Sequence, residues 1–183
     1  MKSSLRAFEQ IQHYLVESAR ELFDAYGLEI THVQDGAPMP THPGTCVAGV
    51  LGYASPTVRG CVIVAATGDL FERALPPNVA QGPASEACLR DFAGEFANML
   101  LGAIKGKLIL DGVVLQLACP ITAIGSAMLL PTPAGGTSTW HTFSSMHGTI
   151  HIRFDAQFDR DFHFADESVE REQVAVGGTE VVF

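Results

Sequence analysis

DFAGEFANMLLG, residues 91–102, is the stretch that decides how this chain folds. Its polar residues Asp91, Glu95 and Asn98 recur at spacings of four and three, so a helix would align them on one face, with Gly102 just beyond. The pattern predicts an amphipathic helix that can offer a carboxylate and a carboxamide to a partner. Spacing alone equally permits an ordinary surface helix with a solvated polar face. The opposite face would be apolar, carrying Cys88, Phe92, Phe96, Met99 and Leu100.

The segments on either side of this helix carry strand and turn patterns. VAGVLGYASPTVRGCVIVAAT, residues 47–67, predicts two strands joined by a short turn and includes three glycines. GVVLQLACPITAIG, residues 112–125, follows the helix and contains Pro120. Helix, hairpin and proline together resemble the CheC/CheX family of chemotaxis phosphatases, and the CheX branch most closely. The family's acidic residue, Glu, Asn and proline fall on Asp91, Glu95, Asn98 and Pro120, and the hairpin glycines on Gly49, Gly52 and Gly60.

The resemblance implies an α+β fold in which two long helices pack on one side of a largely antiparallel sheet, built from duplicated helix-strand-strand units. From the sequence we expect a first helix over 5–26 capped by Gly27, a short helix over 68–75 and the motif helix over about 84–108. Strands are expected near 45–53, 58–67, 113–118, 121–130, 137–145 and 149–157, with loops over 35–44 and 76–83. The domain would span residues 1–157. Residues 158–183 would form an acidic C-terminal extension, which we expect to be flexible, the alternative being an added strand.

Composition excludes several classes of function. The 183 residues carry a net charge of −9 and only eleven scattered Lys and Arg, which argues against a nucleic-acid partner and an anionic membrane surface. No apolar run approaches the roughly 20 residues that span a bilayer. MKSSLRAFEQ at the N-terminus lacks the apolar core of a secretion signal, so we expect a cytoplasmic protein.

Cysteines and histidines predict no metal site. Cys46, Cys61, Cys88 and Cys119 are too widely spaced for a metal knuckle or redox motif, and we expect most of them to be buried as small hydrophobes. His141, His147 and His151 fall in one predicted hairpin, but their spacing does not place three imidazoles on one strand face. We expect them to be partly exposed strand residues.

The resemblance also implies an activity, hydrolysis of the aspartyl phosphate of a response-regulator receiver such as CheY. Asn98 would orient the attacking water and Glu95 would anchor the receiver's lysine, while Asp91 and Gly102 would contact the partner. The first helix offers Glu21 but Asp24 in place of asparagine, so we expect one active surface per chain. No cofactor is expected in this chain, because Mg²⁺ would be held by the receiver. A homodimer is compatible with the family branch. The alternative is a non-catalytic receiver-binding adaptor, or an interaction protein like those of the flagellar switch.

Overall fold

A computed structural model describes residues 2–35, 45–75, 84–126 and 136–164 of the chain. Within these ranges seven strands form one sheet and three helices pack on it. In chain order the elements are α1 (Lys2–Ala25), β1 (Thr31–Asp35), β2 (Cys46–Ala54), β3 (Val58–Thr67), α2 (Gly68–Ala74), α3 (Glu86–Leu110), β4 (Gln116–Leu117), β5 (Ile121–Gly125), β6 (Thr137–Ser145) and β7 (Gly148–Phe158).

The sheet is antiparallel at every described pairing. Its order is β1-β6-β7-β3-β2-β4, and β5 pairs with β2 beside β4. Because side chains alternate between faces, Val64 and its partner Ile152 face the helices, whereas the neighbouring pair Ile63 and Arg153 face away. The core between sheet and helices includes Ile11, Leu15, Phe23, Leu51, Val62, Val64, Phe96, Leu100, Ile152 and Phe154, all of them buried.

Aromatic pairs join the three helices to each other and to the sheet. The Phe23 ring of α1 lies 5.7 Å from that of Phe143 on β6 and 5.2 Å from that of Phe96 on α3, measured between centroids. The Phe71 ring of α2 meets the Phe92 ring of α3 edge-on at 5.4 Å. Such pairs contribute about 0.5–1.5 kcal/mol beyond the area that they bury, so they fix the position of α3 as well as filling the core.

Both long helices end in the same glycine motif. At the end of α1 the Leu28 amide bonds to the Phe23 carbonyl, and Gly27 adopts a φ of 66°. At the end of α3 the Val113 amide bonds to the Leu108 carbonyl, and Gly112 adopts a φ of 75°. Left-handed glycine with this bonding is the Schellman motif, in which other residues would be strained. The predicted cap at Gly27 is therefore confirmed.

The duplication predicted from the sequence is visible in the sheet order. With β5 taken as the neighbour of β2 in place of the two-residue β4, the order is β1-β6-β7-β3-β2-β5, and exchanging β1, β2 and β3 for β5, β6 and β7 turns it into its own reverse, as an internal two-fold requires. The first half contains one strand more than the predicted helix-strand-strand unit, because β1 was not expected from the sequence, whereas the four strands of the second half, β4 to β7, were all expected. Strand β1, THVQD, is only five residues long and mostly polar, and it lies beside the predicted loop, so its sequence gives a weak strand signal. The α+β fold itself is confirmed.

Other boundaries differ from the sequence-based predictions in ways that have local causes. The strand expected over 113–118 is reduced to β4, since the Schellman turn of α3 takes up Gly112 and Val113. Leu5, the first residue of the predicted first helix, lies in the first turn of α1 and is 57% exposed. The predicted loops over 36–44 and 76–83, the end of the strand beyond 126 and the segment 165–183 lie outside the described residues.

The described chain continues past the predicted end of the domain at residue 157. Phe158 closes β7, and the following turn buries Phe162, which is 4% exposed. None of the helices in the described ranges has the length and apolar character needed to cross a membrane.

Candidate functional site

Helix α3 is fixed at its first turn, upstream of the polar motif. Ser85 precedes the helix in an extended conformation, and its hydroxyl oxygen accepts a hydrogen bond from the Cys88 amide at 3.2 Å. Ser85 is thus an N-cap, which satisfies one of the amides that the first turn leaves unpaired. With the glycine motif at the other end, both ends of α3 are defined.

Two glycines let α3 approach the sheet closely. A side-chain carbon at Gly49 of β2 would overlap the Ala93 carbonyl group, so only glycine permits this contact. On α3 itself, a side-chain carbon at Gly94 would lie 3.0 Å from Thr122 Cγ2 and 3.6 Å from Pro120 Cβ. The helix backbone therefore rests directly on β2, next to Glu95.

The polar motif forms a narrow exposed stripe on this helix. With about 100° of rotation per residue, Asp91, Glu95, Asn98 and Gly102 fall within an arc of about 60°. All four are exposed. Across the part of the chain that the structure describes, no side-chain hydrogen bond or ion pair engages Asp91, Glu95 or Asn98. We call these four residues the α3 stripe, and its polar groups are available to a partner.

The α3 stripe has a wall on each side. Pro120, which precedes β5, and Thr122 within β5 lie against Gly94. Gly94 is one helical turn before Asn98 and about 40° around the helix from it, on the side away from Glu95. On the other side, next to Glu95, the Tyr26 hydroxyl donates to Met99 Sδ at 3.5 Å. The Pro120 identified in the sequence motif thus borders the stripe on its Asn98 side.

On α1, Glu21 and Asp24 occupy the positions that correspond to the glutamate and asparagine of the α3 stripe, but Glu21 already has a partner. Lys107 of α3 pairs with Glu21 Oε1 at 3.2 Å and with Glu17 Oε2 at 3.1 Å. Burial lowers the Lys107 pKa, but the two carboxylates outweigh it and raise the pKa above its ordinary value. Glu21 is therefore engaged in joining α1 to α3, and Asp24 stands exposed beside it.

The histidines of the β6-β7 hairpin are more buried than expected. His141 and His151 are 2% and 1% exposed, so the prediction of partly exposed residues is wrong for both, whereas His147 is exposed. His141 lies on the helix face, hydrogen-bonded to Gln12 of α1. His151 lies on the other face, 3.0 Å from the Thr142 hydroxyl. The three imidazoles do not converge.

The prediction that most cysteines are buried is also wrong. Cys46 alone is fully buried, Cys61 and Cys88 are partly exposed, and Cys119 is exposed. Sequence reasoning also missed the partner of Cys61, the Asp155 carboxylate, to which its thiol donates at 3.3 Å. Burial and this carboxylate raise the pKa of Cys61 to about 12, so the thiol remains protonated at neutral pH. Asp155 is in turn paired with Arg153 at 2.9 Å.

The α3 stripe is separate from the cavity that lies around Cys61 and Asp155. A cavity of about 650 Å³, bordered by Gly52, Arg59, Cys61 and Asp155, includes none of the stripe residues. Among the described residues no group of three or more His, Cys, Asp and Glu is placed to hold a metal ion. The stripe is a convex helix face, which suits the surface of another protein better than a small molecule.

Comparison with known proteins identifies the relatives of this fold. The CheC-like superfamily protein of Shewanella sp. PV-4 superposes with a TM-score of 0.71 at 20% identity, covering 80% of this chain and 97% of that one. The chemotaxis protein CheX of Vibrio vulnificus gives a TM-score of 0.72 at 19% identity, covering 81% and 99%. CheX in the CheX-CheY-BeF3-Mg complex of Borrelia burgdorferi gives 0.61 at 15% identity, covering 79% and 96%.

The sequence comparison agrees with these structural matches. A search of curated proteins found no match. The sequence model of the family described as chemotaxis phosphatase CheX, however, matches residues 47–144, more than half of the chain. That range contains the β2-β3 hairpin, the α3 stripe and Pro120. This protein therefore belongs to the CheX family of chemotaxis phosphatases.

Proposed function

We propose that this chain hydrolyses the aspartyl phosphate of a CheY-like response-regulator receiver, with the α3 stripe as its working surface. The observation that carries the proposal is the presence of Glu95 and Asn98 on one helix face in a chain of the CheX family, both exposed and both without a side-chain hydrogen bond to any described residue. The Borrelia burgdorferi relative in complex with CheY supports a receiver as the class of partner.

Asn98 has the chemistry that this hydrolysis requires. An acyl phosphate is already activated, so phosphoryl transfer depends mainly on positioning and on charge stabilisation. The missing component is a water held in line with the bond between phosphorus and the aspartate oxygen. The Asn98 carboxamide oxygen can accept a hydrogen bond from that water, while its NH₂ group donates to a phosphoryl oxygen. It adds no negative charge beside the phosphate.

Glu95 would anchor the receiver. Receivers carry a lysine that contacts the phosphoryl group, and a carboxylate one helical turn from Asn98 can pair with that lysine. Residues three apart on a helix have Cβ atoms about 5–6 Å apart, close enough for both side chains to act at one phosphorylation site. Asp91, one turn earlier, would pair with a cation at the rim of the receiver, and Gly102 would let its backbone approach.

In this proposal the receiver supplies the metal ion that the hydrolysis needs. Phosphoryl-transfer sites use Mg²⁺ to neutralise developing charge, and the receiver would hold that ion. This chain would supply a positioned water and an anchoring carboxylate, with no nucleophile and no metal ligand of its own. Asp24 at the equivalent position of α1 would repel a phosphoryl group, which limits the proposal to one active surface per chain.

The test is phosphate release from phosphorylated CheY-like receivers of the source organism. Asn98→Ala should slow dephosphorylation by about ten- to a thousand-fold, the scale expected for a lost positioning or oxyanion-type group. Asn98→Asp, nearly identical in shape, should be equally impaired because it places a carboxylate beside the phosphate. Asn98→Ala, which introduces no charge, should still bind the receiver.

Two other results would contradict the proposal. Turnover that is unchanged in both Asn98 variants would exclude Asn98 as the water-positioning group. Binding of a phosphorylated receiver by the wild-type chain without any acceleration of phosphate release would instead establish the receiver-binding adaptor.

A further inference from the structure

The surface beside the α3 stripe includes a side chain from the other long helix. Tyr26 is the residue between the last helical residue of α1, Ala25, and the left-handed Gly27. The bond from the Leu28 amide to the Phe23 carbonyl pins the backbone on both sides of Tyr26, so its position is fixed.

The Tyr26 ring lies in a defined seat on α3. It meets the Phe92 ring edge-on, with centroids 5.3 Å apart, and lies 6.1 Å from the Phe96 ring. The hydroxyl reaches beyond these rings to Met99 Sδ at 3.5 Å, one turn after Glu95. The Tyr26 ring therefore packs on Phe92 and Phe96, while its hydroxyl lies at the edge of the α3 stripe. The side chain as a whole is partly exposed.

The hydroxyl in this position is a donor with a weak partner. Burial raises the Tyr26 pKa above its ordinary value of 10, and the nearby Glu95 carboxylate raises it further. The phenol therefore stays protonated at neutral pH. A thioether sulfur is a weak acceptor, so an oxygen brought to this edge by a partner would bind the hydroxyl more strongly.

The neighbouring charge limits which oxygen would bind. The Glu95 carboxylate disfavours a second carboxylate nearby, whereas an uncharged carbonyl or hydroxyl oxygen meets no such repulsion. A partner that pairs a lysine with Glu95 brings its adjacent backbone or hydroxyl groups to the same edge.

We propose that the Tyr26 hydroxyl is a receiver-binding group that donates a hydrogen bond to an uncharged oxygen beside the receiver's lysine, extending the docking surface from α3 onto α1. This inference rests on the proposed function, since it names a further contact of the same surface. Tyr26 would contribute to the affinity for the receiver. It would not position the attacking water, which is the role of Asn98.

The test compares two tyrosine variants of the full chain. Tyr26→Phe removes the hydroxyl and keeps the ring that packs on Phe92 and Phe96. The matched control is Tyr14→Phe on the same helix, because the Tyr14 hydroxyl donates to Asp111 Oδ2 at 2.9 Å, at the far end of the α1-α3 contact. Binding is measured by calorimetry with a CheY-like receiver activated by beryllium fluoride and Mg²⁺, alongside steady-state phosphate release and thermal melting.

Tyr26→Phe should weaken receiver binding and raise KM by about three- to tenfold, as expected for a neutral hydrogen bond, with kcat and melting temperature unchanged. Tyr14→Phe should lower the melting temperature and leave the receiver affinity unchanged. A Tyr26→Phe variant with wild-type affinity, or one that loses kcat in place of affinity, would overturn the role of Tyr26 while leaving the proposed function intact. A wild-type chain that binds no activated receiver would overturn both.

Discussion

At the scale of single residues, the proposed function depends on polar groups that make no side-chain hydrogen bond or ion pair within the described chain. Lys107 pairs with Glu21 between α1 and α3, and Arg153 pairs with Asp155 Oδ2 in the interior. Glu95 and Asn98 make no comparable contact within the described chain. An exposed, unpaired carboxylate contributes little to stability, so substituting it should change binding without unfolding the protein.

Glu95 offers a prediction with a matched control on its own helix. Glu95→Gln removes the charge that we expect to pair with the receiver's lysine, and it should weaken receiver binding by about 2–5 kcal/mol if that ion pair is desolvated in the complex. Glu86→Gln makes the same chemical change nine residues earlier, about 180° around the helix from Glu95 and also exposed. Anisotropy with a beryllium fluoride-activated receiver should detect a loss for Glu95→Gln alone. Equal affinities for the two variants would make Glu95 an ordinary solvated residue.

Individual residues also show where sequence reasoning succeeded and where it failed. The period of α3 predicted the burial of Phe92, Phe96 and Leu100, because each lies on the apolar side of the helix and belongs to the core. In β7, however, His151 and Arg153 alternate with apolar residues and read as a solvent-facing series. Both are buried. Alternation identifies which residues share a face, but it does not reveal whether a second layer of chain covers that face.

At the scale of elements, α3 is positioned by close backbone contacts that only glycine allows. Gly49 was identified in the sequence through the family resemblance, and its physical role is the contact with Ala93. Gly94 plays the complementary part against Thr122 and Pro120. Sequence periodicity could place Gly49 on a strand and Gly94 on a helix. It could not show that Gly49 lies against Ala93, or Gly94 against Thr122, because those contacts depend on how the helix packs on the sheet.

Two other glycines of α3 provide a prediction about the docking surface. A side-chain carbon at Gly102 or Gly106 would have no heavy atom within 4 Å, so alanine fits at both positions. Either substitution should stabilise the helix by about 0.8–1 kcal/mol through its intrinsic propensity. Gly102 lies about 6 Å along the helix from Asn98 and Gly106 about 12 Å, so a partner centred on Asn98 is closer to Gly102.

We therefore expect Gly102→Ala to raise the melting temperature and weaken receiver binding, while Gly106→Ala raises the melting temperature alone. Thermal melting and calorimetry on both variants would separate the two effects. If Gly102→Ala binds the receiver as tightly as wild type, the partner's backbone does not approach α3 at this position.

At the scale of the whole molecule, the duplication makes the two ends of the sheet equivalent. In the described chain β1 pairs only with β6, so it forms one edge of the sheet, while β4 and β5 pair only with β2 and together form the other edge. Exposed edges are available for pairing with another chain. The homodimer expected from the family resemblance remains a prediction, and these edges are one place at which it could form.

The last prediction concerns where the folded unit ends. The resemblance stops near residue 157, yet the ring of Phe158 lies 6.4 Å from that of Phe8 and 4.6 Å from that of Phe162. The Asp159 amide also bonds to the Thr57 carbonyl at 2.8 Å. A chain that ends after Gln157 loses these contacts. Truncating a buried phenylalanine to alanine alone costs about 3–5 kcal/mol, which is roughly 6–20 °C in melting temperature for a protein of this size.

A chain that ends after Phe164 keeps these contacts and lacks only residues 165–183, the rest of the acidic extension that the sequence predicts over 158–183. We therefore expect it to melt within a few degrees of the full chain and to release phosphate from the receiver at the same rate, since the α3 stripe is intact. Calorimetry that compares the melting temperatures of both truncated chains with that of the full chain locates the C-terminal boundary of the folded domain. A large loss of stability in the chain ending at Phe164 would mean that residues 165–183 belong to the folded domain, as the alternative of an added strand requires.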